Sequence, residues 1–256
     1  MELTESIIDN FQDNDTTISL VPISSIRDEL ERRGNDAYKK ILTPWEYSYF
    51  NNIKIMKRKC DFLSGRLAAK KAVNEHLIKK KGHGFNHYYL NLEDIEIKRL
   101  ESGKPSVKIK DKKAKLEISI SHSSEFAISM VCNIKCCKGI GIDIERVEKR
   151  EESFLDVAFN SSEIVKLKNT DISESRLRYY EYITWFWSIK ESVLKSLGIG
   201  LNVDIKDIEI VDLTSTRQYI KMRNEVMERY ELLDGQDINI KSCRFNSHII
   251  SISYFN

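Results

Sequence analysis

Phe186-Trp187-Ser188-Ile189-Lys190-Glu191-Ser192-Val193-Leu194-Lys195 is the stretch from which the fold is built outward. It has the spacing of the end of a long helix, Glu174 to Leu197, with Leu177, Tyr180, Ile183, Phe186 and Leu194 inward and Gly198 closing it. Glu191 and Lys195 are four apart and share a face with Trp187 one turn earlier, while Lys190 points elsewhere. An i,i+4 Glu–Lys pair alone is an ordinary exposed feature worth ~0.2–0.5 kcal/mol. The indole on the same face changes that, because a tryptophan marks a covered surface.

A second short stretch, Gly141-Ile142-Asp143-Ile144-Glu145, alternates as a strand. Side chains two apart share a face, so Asp143 and Glu145 point the same way while Ile140, Ile142 and Ile144 point into the core. Gly141 leaves room beside the acids. Two carboxylates about 7 Å apart along a strand repel unless a cation lies near, and oxygen-only ligands of this kind suit magnesium. Taken alone, an exposed strand face with unrelated acids is the plainer account.

Upstream, Ile18-Ser19-Leu20-Val21-Pro22-Ile23 predicts a short strand, and Ile26 to Arg33 a polar helix. Thr43-Pro44-Trp45-Glu46 has the form of a capped helix start. Asp61 to Lys80 is an amphipathic helix with Leu63, Leu67, Val73 and Leu77 on one stripe, broken by Gly82-His83-Gly84. Ile95–Lys98 and Ser106–Ile109 alternate as strands around the turn Gly103-Lys104-Pro105, and Leu116–His122 with Phe126–Val131 predicts a hairpin. After Gly139 the order starts again. The Ile140–Glu145 strand comes first, then Asn160 with Glu163 as a capping pair, the long helix, and strands at Asp207–Val211, Ile238–Phe245 and His248–Tyr254.

Both halves thus run strand, short helix, long helix, strands. Phe62-Leu63-Ser64-Gly65-Arg66 lies over Phe186-Trp187-Ser188-Ile189-Lys190, and Lys71 over Lys195. The expected fold is α+β, a pseudo-dimer of two similar halves, 1–133 and 139–256, each a long helix packed on a small antiparallel sheet. A ligand site at the seam of such halves is expected.

Composition narrows the function. The chain has 256 residues, 41% hydrophobic and 31% charged, with net charge +2. A dedicated nucleic-acid binder shows a stronger basic excess, and Lys79-Lys80-Lys81 and Lys108–Lys115 suit solvated ends and turns. An α+β protein binding nucleic acid through those lysines is the remote alternative. Five cysteines, including Cys132, Cys136 and Cys137, match no zinc pattern and predict free buried thiols in a reducing compartment. The acidic, polar N-terminus does not resemble a signal peptide and no run is long enough to span a membrane, so a cytoplasmic protein is expected.

His122 ends a strand and is followed by Ser123 and Ser124. A satisfied, half-buried histidine is the default there, but a protonated imidazole beside hydroxyls suits a phosphate. Gly103-Lys104-Pro105 is by default a plain turn; with Arg99 upstream it is also a small basic loop with room for a ligand.

In order, the set Arg99-x3-Gly103-Lys104-Pro105, Ile118-Ser119-Ile120-Ser121-His122-Ser123, Gly141-Ile142-Asp143-Ile144-Glu145 and Trp187-Ser188-Ile189-Lys190-Glu191-Ser192-x2-Lys195 resembles the 4′-phosphopantetheinyl transferase superfamily, in particular its large, monomeric, surfactin-synthetase-activating type. The resemblance implies transfer of the 4′-phosphopantetheine arm of coenzyme A to a serine of an apo acyl or peptidyl carrier protein, releasing adenosine 3′,5′-bisphosphate. It implies that Asp143, Glu145 and Glu191 bind magnesium with the coenzyme A diphosphate and that Lys195 contacts a phosphate. Ser121 and His122 would hold the 3′-phosphate, and Arg99, Gly103 and Lys104 would line the nucleotide pocket. Glu191 is the first choice of general base, Glu145 the second, with Lys195 stabilising the departing oxygen. Trp45-Glu46-Tyr47-Ser48-Tyr49-Phe50 lacks the basic residues that relatives often place before the first long helix. A catalytically silent homologue that binds coenzyme A or a carrier is the alternative within the family.

Overall fold

The computed structural model describes residues 11, 15–81, 90–169, 176–198, 203–213, 218–223, 227 and 238–255. The break at Gly82-His83-Gly84, the helix start at Glu174 and the side chain of Leu177 lie outside them. The chain divides into two compact units, Met1–Lys138 and Gly139–Asn256.

In the first unit, β1 (Thr16–Pro22) runs into α1 (Ile23–Arg33), followed by α2 (Pro44–Asn52) and the 26-residue α3 (Met56–Lys81). Then come β2 (Ile95–Arg99), β3 (Pro105–Ile109), β4 (Lys112–Lys113), β5 (Leu116–His122) and β6 (Phe126–Asn133). One antiparallel sheet has the order β1-β6-β5, the other β2-β3-β4. The core of α3 and the sheets includes Ala69, Ala72, Val73, Ile95, Ile97, Ile118 and Val131.

The second unit consists of β7 (Gly139–Arg146), α4 (Glu152–Ala158), α5 (Ser161–Asn169), α6 (Arg176–Leu197), β8 (Ile208–Leu213), β9 (Gln218–Met222), β10 (Asn239–Phe245) and β11 (His248–Phe255). Its main sheet has the order β10-β11-β7, with β8 and β9 paired separately. In each unit the first strand therefore pairs with the last, and the last with the one before it. Each is α+β, with a long helix on a three-stranded antiparallel sheet. The α6 helix closes at Gly198, whose φ of 68° lets its N–H reach back to the Leu194 carbonyl at 3.1 Å.

The same buried ion pair recurs in both units. Thr43 and Glu46 form a capping box at the start of α2. The Glu46 carboxylate also accepts from Ile97 N at 3.1 Å on β2 and meets Arg66 Nε at 3.2 Å and Lys70 Nζ at 2.5 Å on α3. In the second unit, Asn160 and Glu163 cap α5 reciprocally, at 2.9 and 3.0 Å. Glu163 then accepts from Ile210 N at 2.8 Å on β8 and from Lys190 Nζ at 2.6 Å on α6. Lys70 donates to the Ile41 carbonyl at 2.7 Å and Lys190 to the Ala158 carbonyl at 3.0 Å, each two residues before the cap. The side chains of Glu46, Lys70, Glu163 and Lys190 are all fully buried. Burial lowers the proton affinity of both lysines, and the paired glutamate opposes that shift. Lys190, which the helical spacing turned away from Glu191, is directed into this knot.

One expectation fails. Cys132 and Cys137 are joined as a disulfide, because the turn after β6 folds back on itself; Cys60, Cys136 and Cys243 take part in no disulfide.

Replacing Lys190 by Met would leave Glu163 buried without its cation, so a loss of ~3–5 kcal/mol is expected in chemical denaturation. The exposed pair of Arg33 with Glu29 serves as contrast: Arg33→Met should cost less than ~1 kcal/mol.

Candidate functional site

The geometry of the second unit follows from how closely α6 lies on β7. Thr184, Ser188, Ser192 and Ser196, spaced four apart, form a stripe at most 1% exposed. Opposite them lie Gly139 and Gly141 on β7 and Ser251 and Ser253 on β11, the last two in register with Asp143 and Gly141. A Cβ at Gly141 would sit 1.8 Å from the Ser192 carbonyl oxygen and 2.7 Å from Ser196 N. The room expected beside Gly141 is therefore filled by the helix backbone. Ser192 and Ser196 turn their hydroxyls back to the Ile189 and Val193 carbonyls, and among the described residues the hydroxyls of Ser188, Ser251 and Ser253 have no hydrogen-bond partner, so these three serve by their size.

With that stripe facing the strand, Trp187, Glu191 and Lys195 fall at the edge of the helix–strand contact, beside Asp143 and Glu145. Lys195 Nζ donates to Asp143 Oδ1 at 2.7 Å, and Asp143 is only 2% exposed. Trp187 Nε1 donates to Glu145 Oε1 at 3.2 Å, and Arg150 Nη2 to Glu145 Oε2 at 2.8 Å. Phe154 on α4 completes a ring. It packs edge-on against Trp187 at 5.0 Å, and the Arg150 guanidinium lies 5.1 Å from its centroid.

Electrostatics tie the three acids together. Burial raises the pKa of Glu145, and the charge of Asp143 adds to it, while Arg150 and Trp187 oppose the shift. Burial likewise raises Glu191; Lys195 opposes, and Asp143 and Glu145 reinforce. Among the described residues no set of three acid, histidine or cysteine side chains converges on a point that could hold a metal ion. Lys195 and Arg150 instead neutralise the acids on β7. The donor set is nonetheless that of a hard cation: oxygen only, anionic and desolvated. Asp143, Glu145 and Glu191 could hold such an ion if the first two exchanged their basic partners for it.

In the first unit, Arg99, Gly103 and Lys104 share the turn between β2 and β3. Arg99 Nε donates to the Gly103 carbonyl at 3.3 Å, and Gly103 has a φ of 87° that a side chain would strain. Lys104 pairs with Glu117 on β5. Ser121 is buried and His122 exposed at the end of the same strand. Sequence reasoning missed Arg150 and Phe154, which no local pattern marks. It also missed the four-residue spacing of small residues on α6, which was visible as a pattern.

Residues 139–252 match the family model of the 4′-phosphopantetheinyl transferase superfamily. The chain is 34% identical over 123 residues to a holo-[acyl-carrier-protein] synthase of Halothermothrix orenii, covering 44% of this chain and 91% of the relative. It is 26% identical over 162 residues to the 4′-phosphopantetheinyl transferase gsp of Aneurinibacillus migulanus, covering 63% of each. Among solved structures, a holo-(acyl-carrier-protein) synthase from Bacillus anthracis in complex with CoA (3′,5′-ADP) aligns at 27% identity over 46% of this chain and 94% of that one, with a TM-score of 0.38. An α+β unit carrying acids on a strand and an acid and a base on the apposed helix is thus found where the family match lies. The chain belongs to the 4′-phosphopantetheinyl transferase superfamily.

Glu191 binds its proton more tightly folded than unfolded, so its ionisation costs stability above the ordinary carboxylate range and nothing below it. Glu191→Gln should therefore raise the melting temperature at pH 7.5. In thermal melts, the gain should fade as pH falls through the raised pKa toward the ordinary one.

Proposed function

We propose that this chain transfers the 4′-phosphopantetheine arm of coenzyme A to a serine of an apo acyl or peptidyl carrier protein, releasing adenosine 3′,5′-bisphosphate. The observation that carries the proposal is the cluster of Asp143, Glu145, Glu191 and Lys195, built by β7 and α6 within the family-matched segment. Asp143, Glu145 and Glu191 are the proposed ligands of magnesium, which would neutralise the coenzyme A diphosphate and make the nucleotide a better leaving group.

The serine hydroxyl oxygen forms a bond to the phosphorus bearing the pantetheine arm, and the bond from that phosphorus to the nucleotide phosphate oxygen breaks. Glu191 takes the serine proton. Its place on α6, within reach of the proposed metal, supports that choice. Glu145 is the second candidate, but both of its oxygens already accept hydrogen bonds. Lys195 stabilises the negative charge on the departing oxygen. The first unit supplies the nucleotide-pocket residues of the proposal: Arg99, Gly103, Lys104, Ser121 and His122. The second supplies the metal site and catalytic helix. The proposal includes a monomer in the cytoplasm with coenzyme A and the carrier as transient partners. Among the described residues no helix is long and apolar enough to cross a membrane.

Incubation with coenzyme A, magnesium and a panel of apo acyl and peptidyl carriers should add one phosphopantetheine arm to at least one carrier, read by intact mass. No gain across the panel, with coenzyme A binding retained, would favour the silent homologue. In the active pairing, Asp143→Ala should lower kcat/KM by ~10²–10³-fold, the scale for removing one preorganised charge-stabilising group.

A further inference from the structure

The two oxygens of Glu145 are held in different ways. Oε1 accepts from Trp187 Nε1, whose ring lies on α6 and is wedged against Phe154. That donor is fixed by a helix and by packing. Oε2 accepts from Arg150 Nη2, and Arg150 lies beyond the end of β7 and before the start of α4, in backbone that is neither helix nor strand. The Arg150 side chain is 20% exposed, and its second charged contact, with Glu148, is long at 3.7 Å. Its Nε is buried without a hydrogen-bond partner. Arg150 also lines two cavities, of about 770 and 500 Å³. Of the two partners of Glu145, Trp187 is fixed by a helix, whereas Arg150 comes from irregular backbone and is held besides by its contact with Phe154.

We propose that Arg150 is an internal counter-ion for Glu145, which a divalent cation must displace in order to bind. The exchange presupposes the metal-ligand role proposed for Glu145 above. Arg150 supplies the counter-charge at Oε2 until a cation takes its place. A hard dication has the advantage in that swap, because it can draw on Asp143, Glu145 and Glu191 together, whereas the guanidinium engages Glu145 from one side. The Trp187 N–H holds Oε1 throughout, so the carboxylate is not lost during the exchange. Arg150 is thus a positioning residue that sets the affinity of the site for its metal and touches neither reacting group.

The test is magnesium titration of the full chain by calorimetry, with and without coenzyme A, repeated with manganese by electron paramagnetic resonance. Arg150→Ala should bind the cation about tenfold more tightly than the wild type, the effect of removing one competing charge-assisted hydrogen bond. Arg150→Lys, which keeps the charge, should stay near the wild type. If Arg150→Ala does not fold, Arg150→Gln, neutral and able to pack on Phe154, carries the same expectation. Wild-type binding that Asp143→Asn abolishes but that neutralising Arg150 leaves unchanged or weakens would overturn the exchange alone. A wild-type chain that takes up neither cation, with or without coenzyme A, would overturn the metal site and the exchange with it.

Discussion

The fold depends on a carboxylate that is buried because it has several simultaneous tasks. Glu163 caps α5, receives the β8 amide of Ile210 and pairs with Lys190. One side chain thereby fixes a short helix, a strand and the long helix α6 relative to one another. Burying an isolated pair of opposite charges is seldom favourable in itself. Here the carboxylate accepts three hydrogen bonds, and the lysine finds the Ala158 carbonyl as well. Glu46 with Arg66 and Lys70 repeats the device in the first unit. Repetition of so specific an arrangement is stronger evidence of an internal duplication than any run of matching residues.

That clasp matters to the site because it sets the rotation of α6. With Lys190 turned into the Glu163 pocket, the next residue, Glu191, is turned away from it, toward the side of β7. The stripe of Thr184, Ser188, Ser192 and Ser196 then meets Gly139 and Gly141 with backbones nearly touching. Close approach brings the acids of a strand and a helix together in a region where water cannot screen them. The raised pKa values of Glu145 and Glu191 are the energetic mark of this. The site is destabilised by its own charges, and Lys195 and Arg150 offset part of that cost.

Much of this was legible in the sequence. Alternation at Ile140–Glu145, the periodic long helices, the Thr43 and Asn160 caps and the order of elements predicted two α+β halves. The alignment of Ser64 with Ser188 and of Arg66 with Lys190 was visible too. Both serines are buried, but the base that repeats the Lys190 contacts is Lys70, one turn beyond Arg66. Arg150 was not legible, because it lies in an irregular stretch where no period constrains the direction of a side chain. Nor was the pairing of Cys132 with Cys137, which depends on how tightly the turn after β6 closes.

The sequence by itself determined which residues share a face, where helices start and stop, and that Asp143 goes with Glu145 and Glu191 with Lys195; only the family resemblance joined the two pairs. These are consequences of the 2.0 and 3.6 periods and of local hydrogen bonding, which act over a few residues. Only the tertiary structure decided which charges neutralise which. Lys190 is taken by Glu163, Lys195 by Asp143 and Arg150 by Glu145, because burial removes water as the alternative partner and leaves each charge only the groups that packing brings within reach.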